Sequence, residues 1–177
     1  MQPHIATQRN FLLPRLRGRT PKSFGSRPLF SYKLMAAYAY GHGFIPFLVH
    51  DSQKYGANLT WTVAWHAICQ LRERHGRYAT TLHITLDNTT GENKNAVMVM
   101  MAAWLVASGR FKCVRIFFLP VGHTHVIIDQ IFGVITVGLR GQELLTVEDL
   151  VQNIDRTLSL NIDYMPQKVR ILHALWD

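Results

Sequence analysis

The order in which apolar periodicity changes along the chain constrains the fold more than any other feature of the sequence. Residues 29–40 and 44–50 are apolar runs joined by a Gly-His-Gly turn, which predicts an antiparallel hairpin, although the first run is also compatible with a helix. From residue 58 onward, segments with helical spacing alternate with short strand-like runs, and residues 5–12 can supply one more strand in front. This order predicts an α/β fold, in which a mixed sheet has helices on its faces.

We predict a sheet of five strands, followed or interrupted by four helices. The strands are centred near Gln8, Lys33, Phe47, Ile84 and Ile116. The helices are predicted over residues 58–75, 94–108 and 127–139 and from residue 146 onward. The first of them has Asn58 or Thr60 as its predicted N-cap. The second is apolar on all faces, which predicts a buried helix.

Positive charge is concentrated at the N-terminal end of the chain. Residues 1–50 contain seven Arg or Lys residues and no acid, whereas residues 51–177 contain 12 basic and 11 acidic residues. Such an arm is either a solvated tail or a surface that binds the phosphates of nucleic acid. The length of 177 residues predicts a single domain, with residues 1–28 as a basic arm and part of the first strand, and residues 146–177 as a C-terminal helical extension. The cations that we predict to contact nucleic acid are Arg15, Arg17, Arg19, Lys22 and Lys94.

Several features favour an intracellular location. Cys69 and Cys113 lie inside apolar runs, which is typical of small core residues rather than of a disulfide or a zinc site. The first 30 residues lack the apolar stretch of a secretory signal, and the longest apolar run, residues 96–107, is too short to cross a bilayer. We therefore expect an intracellular, nuclear protein without a membrane partner. Self-association into a homo-oligomer is left open.

Two polar clusters follow the fourth and fifth predicted strands. The first reads LDNTTGENKN and contains Asp87, and the second contains His123, His125 and Asp129. Because the carboxyl ends of parallel strands meet at one edge of a sheet, both clusters are expected there. Each cluster alone is most simply a capped turn or a strand end, but together they favour a shared cation site. Imidazole and carboxylate suit zinc, manganese or iron, whereas carboxylates alone suit Mg²⁺.

These clusters also carry a resemblance. The segments LDNTTGENKN and FFLPVGHTHVIIDQIFG resemble two boxes of a eukaryotic protein family related to mobile elements, Asp-Asn-x-x-Gly-(Gln/Glu)-Asn-Lys-Asn and Gly-His-Thr-x-x-x-x-Asp. The segments LLPRL, HDSQKYGANLT and LTVEDL are similar to the family as well, so the resemblance covers nearly the whole chain. Family members look like transposases or integrases of the DDE type, which have a ribonuclease-H-like fold. The resemblance implies metal-dependent cleavage or strand transfer on nucleic acid, DNA foremost, with Mg²⁺ or Mn²⁺ held by Asp87, Asp129 and a first acid on the opening strand.

The opening strand departs from the family pattern. The resemblance places the first acid near His4 or Ile5, yet no Asp or Glu precedes Asp51. Either the chain is an N-terminally truncated fragment or the first ligand has been lost. Asp51 follows a strand two positions from the opening one, roughly 9–10 Å away, which is too far for it to replace that ligand directly.

Three functions therefore stay open. The first is a transposase-like nuclease or strand transferase, whole or degenerate. The second is a catalytically inactive module that binds nucleic acid or assembles with other proteins. The third is a hydrolase that uses one metal ion held by His123, His125 and Asp129. A fold alone does not decide among them.

Overall fold

The fold is mixed α/β, and its elements follow the order that the sequence predicts. The structure is a computed structural model that describes residues 3–17, 29–86, 93–119, 127–161 and 169–172. The strands within these residues are β1 (Pro3–Leu13), β2 (Phe30–Ala39), β3 (Gly43–His50), β4 (Thr81–Leu86), β5 (Cys113–Phe118) and β6 (Arg170–Leu172). The helices are α1 (Ala57–His75), α2 (Ala96–Ala107), α3 (Ile127–Gly138) and α4 (Val147–Asn161).

The described strands form one sheet in the order β5-β4-β1-β2-β3-β6. β1, β2 and β3 form an antiparallel meander, while β4 and β5 run parallel to each other and to β1. β1 and β4 meet through one registered pair, His4 with Thr85. The predicted centres Gln8, Lys33, Phe47, Ile84 and Ile116 lie on β1 to β5 in turn. The mixed sheet is thus confirmed, but it has six strands in the described residues rather than five, because β6 adds to the outer edge of β3.

Helices cover both faces of the sheet, as the alternation of buried side chains along β2 and β3 shows. Met35 and Phe47 belong to a first core, which also contains residues of α1 and α2. Leu34 and Phe44 belong to a second core, which also contains residues of α3 and α4. Phe44 and Phe47 are fully buried on opposite faces, and each such side chain contributes about 1.5–3 kcal/mol of transfer free energy.

α1 begins at least two residues earlier than the predicted caps allow. Its N-cap position is Gly56, which makes no side-chain capping bond, so the prediction of Asn58 or Thr60 as N-cap is wrong. Because the helix already includes Ala57, both polar residues fall inside its first turns. The predicted end is confirmed: Gly76 follows the helix with φ of 71°, a left-handed conformation that glycine adopts without strain.

The prediction that α2 is a buried helix is wrong. Within α2 only Met98 and Leu105 are buried, whereas Met100 is 68% and Trp104 43% exposed. The reason lies in the position of the helix, which packs on α1 and on β5, an outer strand of the described sheet. An apolar sequence therefore does not produce burial where neighbours cover one stripe of the helix. In the described part of the chain, no helix combines the length and apolarity needed to cross a membrane.

The C-terminal segment is part of both the second core and the sheet. Leu150, Ile154 and Leu158 of α4 are buried against the second core, as the sequence stripe predicts. A reciprocal cap starts the helix: Asp149 N donates to Thr146 Oγ1 at 3.1 Å, and Thr146 N donates to Asp149 Oδ2 at 2.9 Å. Backbone N–H donation of this kind lowers the pKa of Asp149. Residues 146–177, predicted as a helical extension, thus contain β6 as well as a helix.

Candidate metal and nucleic-acid site

The carboxyl ends of β4 and β5 lie side by side. The two strands pair in parallel from Thr81 with Cys113 to Leu86 with Phe118, and Leu119 N donates to Leu86 O at 2.9 Å just beyond them. The two strand ends that precede the polar clusters in the sequence are therefore neighbours in the sheet. The expectation that both clusters follow adjacent parallel strands is confirmed.

The predicted site residues fall mostly outside the described part of the chain. Asp87, His123 and His125 lie outside it, and Asp129 lies inside it. Among the described residues, no three His, Cys, Asp or Glu side chains are placed to hold one metal ion. The convergence of Asp87 with Asp129 stays a prediction.

Asp129 lies in the first turn of α3 and is half-buried. Its neighbour Ile128 and the later residues Ile131, Phe132 and Ile135 are buried and form the stripe that fixes α3 on the second core. An acid in a first turn also interacts favourably with the helix dipole, which is a sufficient structural role by itself. A metal-binding role for Asp129 therefore depends on Asp87, at the neighbouring strand end, coming within reach.

β1 provides the third position of the site that the resemblance implies. The parallel pairing of His4 with Thr85 puts His4 level with the second-last residue of β4. The resemblance puts the first acid near His4 or Ile5, within two residues of that level. No Asp or Glu occurs anywhere in β1. The register thus places the right stretch of β1 beside β4, and this stretch carries no carboxylate.

A family model described as a domain of unknown function (DUF7869) matches residues 30–177. The chain belongs to the DUF7869 family. The match includes both polar clusters and every described element after β1, so the sheet edge at β4 and β5 is part of the DUF7869 domain. No curated protein and no solved structure matches the chain.

A buried lysine inside the DUF7869 domain forms an ion pair with Asp51. Lys33 is 3% exposed, and its Nζ lies 3.1 Å from Asp51 Oδ1. The same Nζ donates to Gln53 O at 2.5 Å and lies 3.9 Å from the centroid of the Tyr55 ring. The Tyr55 hydroxyl donates to Asn10 Oδ1 at 3.1 Å, which ties the loop after β3 to β1. A sequence signal could have indicated this buried lysine: Lys33 is the only Lys, Arg, Asp or Glu between residues 28 and 50.

The predicted nucleic-acid contacts divide between two faces. Arg15 forms a backbone bridge with Leu144, with N to O distances of 2.7 and 2.8 Å, and Arg17 N donates to Glu143 Oε1. The backbone at Arg15 and Arg17, inside the predicted basic arm, is therefore fixed to the connection between α3 and α4. Both side chains are exposed.

The other predicted cations do not belong to residues 14–17. Lys94 is exposed in the turn before α2, with its Nζ 5.9 Å from the centroid of the Phe118 ring, on the side of the first core. Arg19 and Lys22 lie outside the described residues. Of the described cations, Arg15 and Arg17 precede the DUF7869 match, and Lys94 lies within it.

One further cluster lies away from the sheet edge at β4 and β5. His75 Nε2 at the end of α1 is 3.0 Å from His42 Nδ1, in the turn between β2 and β3. Burial, followed by the charges of His75 and the chain's amino terminus, lowers the pKa of His42. The pair joins the end of α1 to the amino end of β3, which is a structural role.

Proposed function

We propose that this DUF7869 domain is a transposase-like domain with a ribonuclease-H-like fold, which binds nucleic acid and holds Mg²⁺ or Mn²⁺ through Asp87 and Asp129. The observation that carries the proposal is the parallel pairing of β4 with β5, up to Leu86 and Phe118, immediately before the two polar clusters. Acids that follow neighbouring parallel strands are suited to bind a cation together, since like charges that approach each other need a counterion.

The sheet order supports the ribonuclease-H-like part of the proposal. A meander of β1, β2 and β3 is followed by β4 and β5, which are added on the other side of β1 and parallel to it. β1 thereby lies between β2 and β4, the strand that precedes Asp87 in the chain, and β3 lies two positions from β1. This is the arrangement in which an acid on β1 would join the acids after β4 and β5.

A second candidate, a catalytically inactive module that binds nucleic acid, is favoured by the composition of β1. Two-metal phosphodiester chemistry needs carboxylates that hold two ions roughly 3.5–4 Å apart. β1, which pairs with the strand before Asp87, offers none. Asp87 and Asp129 can then serve a single ion, which binds nucleic-acid phosphate without cleaving it.

We expect a single cation site that depends on Asp87. Calorimetric titration of the protein with Mn²⁺ should show saturable binding, and Asp87→Asn should abolish it because the site loses one of its two carboxylates. Glu148→Gln is the matched control, since Glu148 is an exposed carboxylate in α4. Unchanged binding in Asp87→Asn would remove Asp87 from the site.

The histidines distinguish this proposal from a single-metal hydrolase. Replacing both His123 and His125 with Ala should leave Mg²⁺ binding intact if carboxylates hold the ion, because Mg²⁺ prefers oxygen ligands. Loss of Mn²⁺ and Zn²⁺ binding in that variant, with no Mg²⁺ binding in the parent chain, would instead favour the hydrolase.

The basic N-terminal segment should bind polyanions without sequence preference. Each phosphate that a cation neutralises contributes a slope of about −0.9 to the log–log dependence of affinity on salt. Replacing Arg15, Arg17 and Arg19 with Ala should therefore flatten the slope by as much as about 2.7, measured by fluorescence anisotropy with a labelled duplex.

The control for this measurement removes the same charge elsewhere. Arg72, Arg74 and Arg77 are exposed at and beyond the end of α1. Their replacement with Ala should change the slope less than the replacement of the N-terminal arginines does. Equal slopes for the parent chain and the N-terminal variant would identify the segment as a solvated tail.

A further inference from the structure

An apolar cleft of about 620 Å³ opens between α1 and α2. Three tryptophans and two methionines form most of its lining, and these are Trp61, Trp65, Met100, Met101 and Trp104. Trp65 and Trp104 contact each other edge to face, with ring centroids 5.4 Å apart, so the two walls meet at one end of the cleft. Tryptophan and methionine are enriched where proteins bind other proteins, because they offer large apolar surfaces and, for methionine, an adaptable shape.

Apolar surface continues from the cleft over α2. Met100 is 68% exposed and Val99, beside it, 63%, and α2 carries no charged residue along its 12 positions. Contiguous exposed apolar surface on a helix is unfavourable in water and is a common mark of a binding site.

The charged residue that contacts the tryptophans of the cleft is a cation. Residues 51–73 and 93–119, which include both walls, contain six Lys or Arg residues and two acids, Asp51 and Glu73. Arg110 stacks over both rings at the closed end, 4.5 Å from the centroid of Trp104 and 5.4 Å from that of Trp65. Lys94 precedes the first turn of α2. The cleft thus combines an apolar lining with one cation, Arg110, against two of its aromatic rings.

We propose that this cleft is the docking site for an acidic amphipathic helix of a partner protein. Along α2 the lining runs from Val97 to Trp104, about 10 Å at the helical rise, which is two turns. A helix that binds in a groove uses apolar anchors at positions i, i+3 or i+4, and i+7, which cover the same length. Carboxylates beside that stripe complement Arg110 and Lys94 in charge.

The same charges disfavour two other occupants. A second copy of the chain would bring one copy of Arg110 against another, which costs free energy when like charges approach. Single-stranded nucleic acid would gain from the cations, but the aliphatic and thioether groups of Val97, Met100 and Met101 offer no hydrogen bonds to base edges. Arg110 also already covers the rings of Trp65 and Trp104, where bases would stack.

The proposal is tested with synthetic peptides, without metal ions or nucleic acid, so that its outcome is separate from that of the metal-site proposal. The probes are a helical 18-residue peptide with Leu at i, i+3, i+4 and i+7 flanked by Glu, its counterpart with Lys in place of Glu, and a scrambled Glu peptide. Binding to the full chain is followed by fluorescence anisotropy of the labelled peptides. The Glu peptide should bind at least about tenfold more tightly than either of the others.

Two exposed neighbours on α2 give a matched pair of variants. Met100→Lys places a charge in the cleft and should weaken binding of the Glu peptide at least about tenfold, whereas Val99→Lys, outside the lining, should change it less than about twofold. Since both side chains are more than half exposed, both variants are expected to fold, which circular dichroism and melting curves check. Arg110→Glu should shift the preference toward the Lys peptide, a readout that does not depend on absolute affinity.

Several results would overturn the proposal. They are no saturable binding of the Glu peptide, equal loss in Met100→Lys and Val99→Lys, or no preference between the Glu and Lys peptides. A dimer in sedimentation that Met100→Lys dissociates would assign the cleft to a second copy. Displacement of the Glu peptide by an equimolar thymidine oligonucleotide would assign it to nucleic acid.

Discussion

The purified chain should not cleave labelled DNA in the presence of Mg²⁺ or Mn²⁺. The reason is the number of carboxylates available to bridge and flank two divalent ions. Asp87 and Asp129 follow β4 and β5 in the chain, but β1, whose residue His4 pairs with Thr85 of β4, contains no acid. Histidine can complete a site for one ion, but it poorly replaces an oxygen ligand that bridges two hard cations. A time course on denaturing gels should show no product above the metal-free reaction.

Restoring an acid on β1 gives this prediction a positive counterpart. Neighbouring residues of a strand face opposite sides, so Ile5→Asp and Ala6→Asp, just after the pairing of His4 with Thr85, together sample both faces of β1. One of the two should raise metal-dependent cleavage above the blank, and adding Asp87→Ala to it should remove that activity. Melting curves of both variants control for loss of the fold.

Cleavage by the parent chain, stopped by Asp87→Ala, would contradict the prediction. Another residue would then supply the first acid, with Asp51 and Glu92 as the nearest candidates. Asp51 is the weaker of the two, because it lies after β3 and pairs with the amino group of Lys33 at 3.1 Å. Glu92 lies outside the described residues, and Glu92→Gln in the cleavage assay would test it directly.

The local part of the fold was predictable because local patterns determine it. The hairpin of β2 and β3 follows from two apolar runs and a short glycine turn, and α1 and α4 follow from their apolar spacing. β6 was not predictable, since Arg170–Leu172 is too short to show any period and pairs with β3, more than 100 residues earlier in the chain. The exposure of α2 was also hidden, because it depends on the place of β5 at the edge of the described sheet.

The candidate site, like the fold, could be predicted from the sequence only in part. That the two polar clusters follow adjacent strand ends could be predicted from their positions, since parallel strands align their carboxyl ends. The contacts of Lys33 could not, because they need the loop after β3 to fold back over the start of β2. The apolar cleft was equally hidden, since its walls are Trp61 and Trp65 on one helix and Trp104 on another, and no local pattern joins them.

Replacing Lys33 with Met should destabilise the fold by about 3 kcal/mol. The substitution keeps the length of the side chain but removes the amino group that donates to the carbonyls of Asp51 and Gln53, and hydrogen bonds from a charged donor contribute about 1.5–3 kcal/mol each. It also removes the cation 3.9 Å from the centroid of the Tyr55 ring. For a chain of this size the melting temperature should fall by about 10 °C, measured by circular dichroism or calorimetry.

Asp51→Asn separates the ion pair from the carbonyl contacts. The side chain of Asp51 is 45% exposed, and a pair with one solvated partner contributes less than about 1 kcal/mol. Asp51→Asn should therefore cost much less than Lys33→Met, because the amino group keeps Gln53 O and the aromatic ring. Equal losses would show that the ion pair, and not the bonds to the loop, makes Lys33 necessary. In that case the apolar contacts of α1, rather than the hydrogen bonds from Lys33, would hold the loop before α1. Asp51 would then contribute more to stability than its exposure suggests.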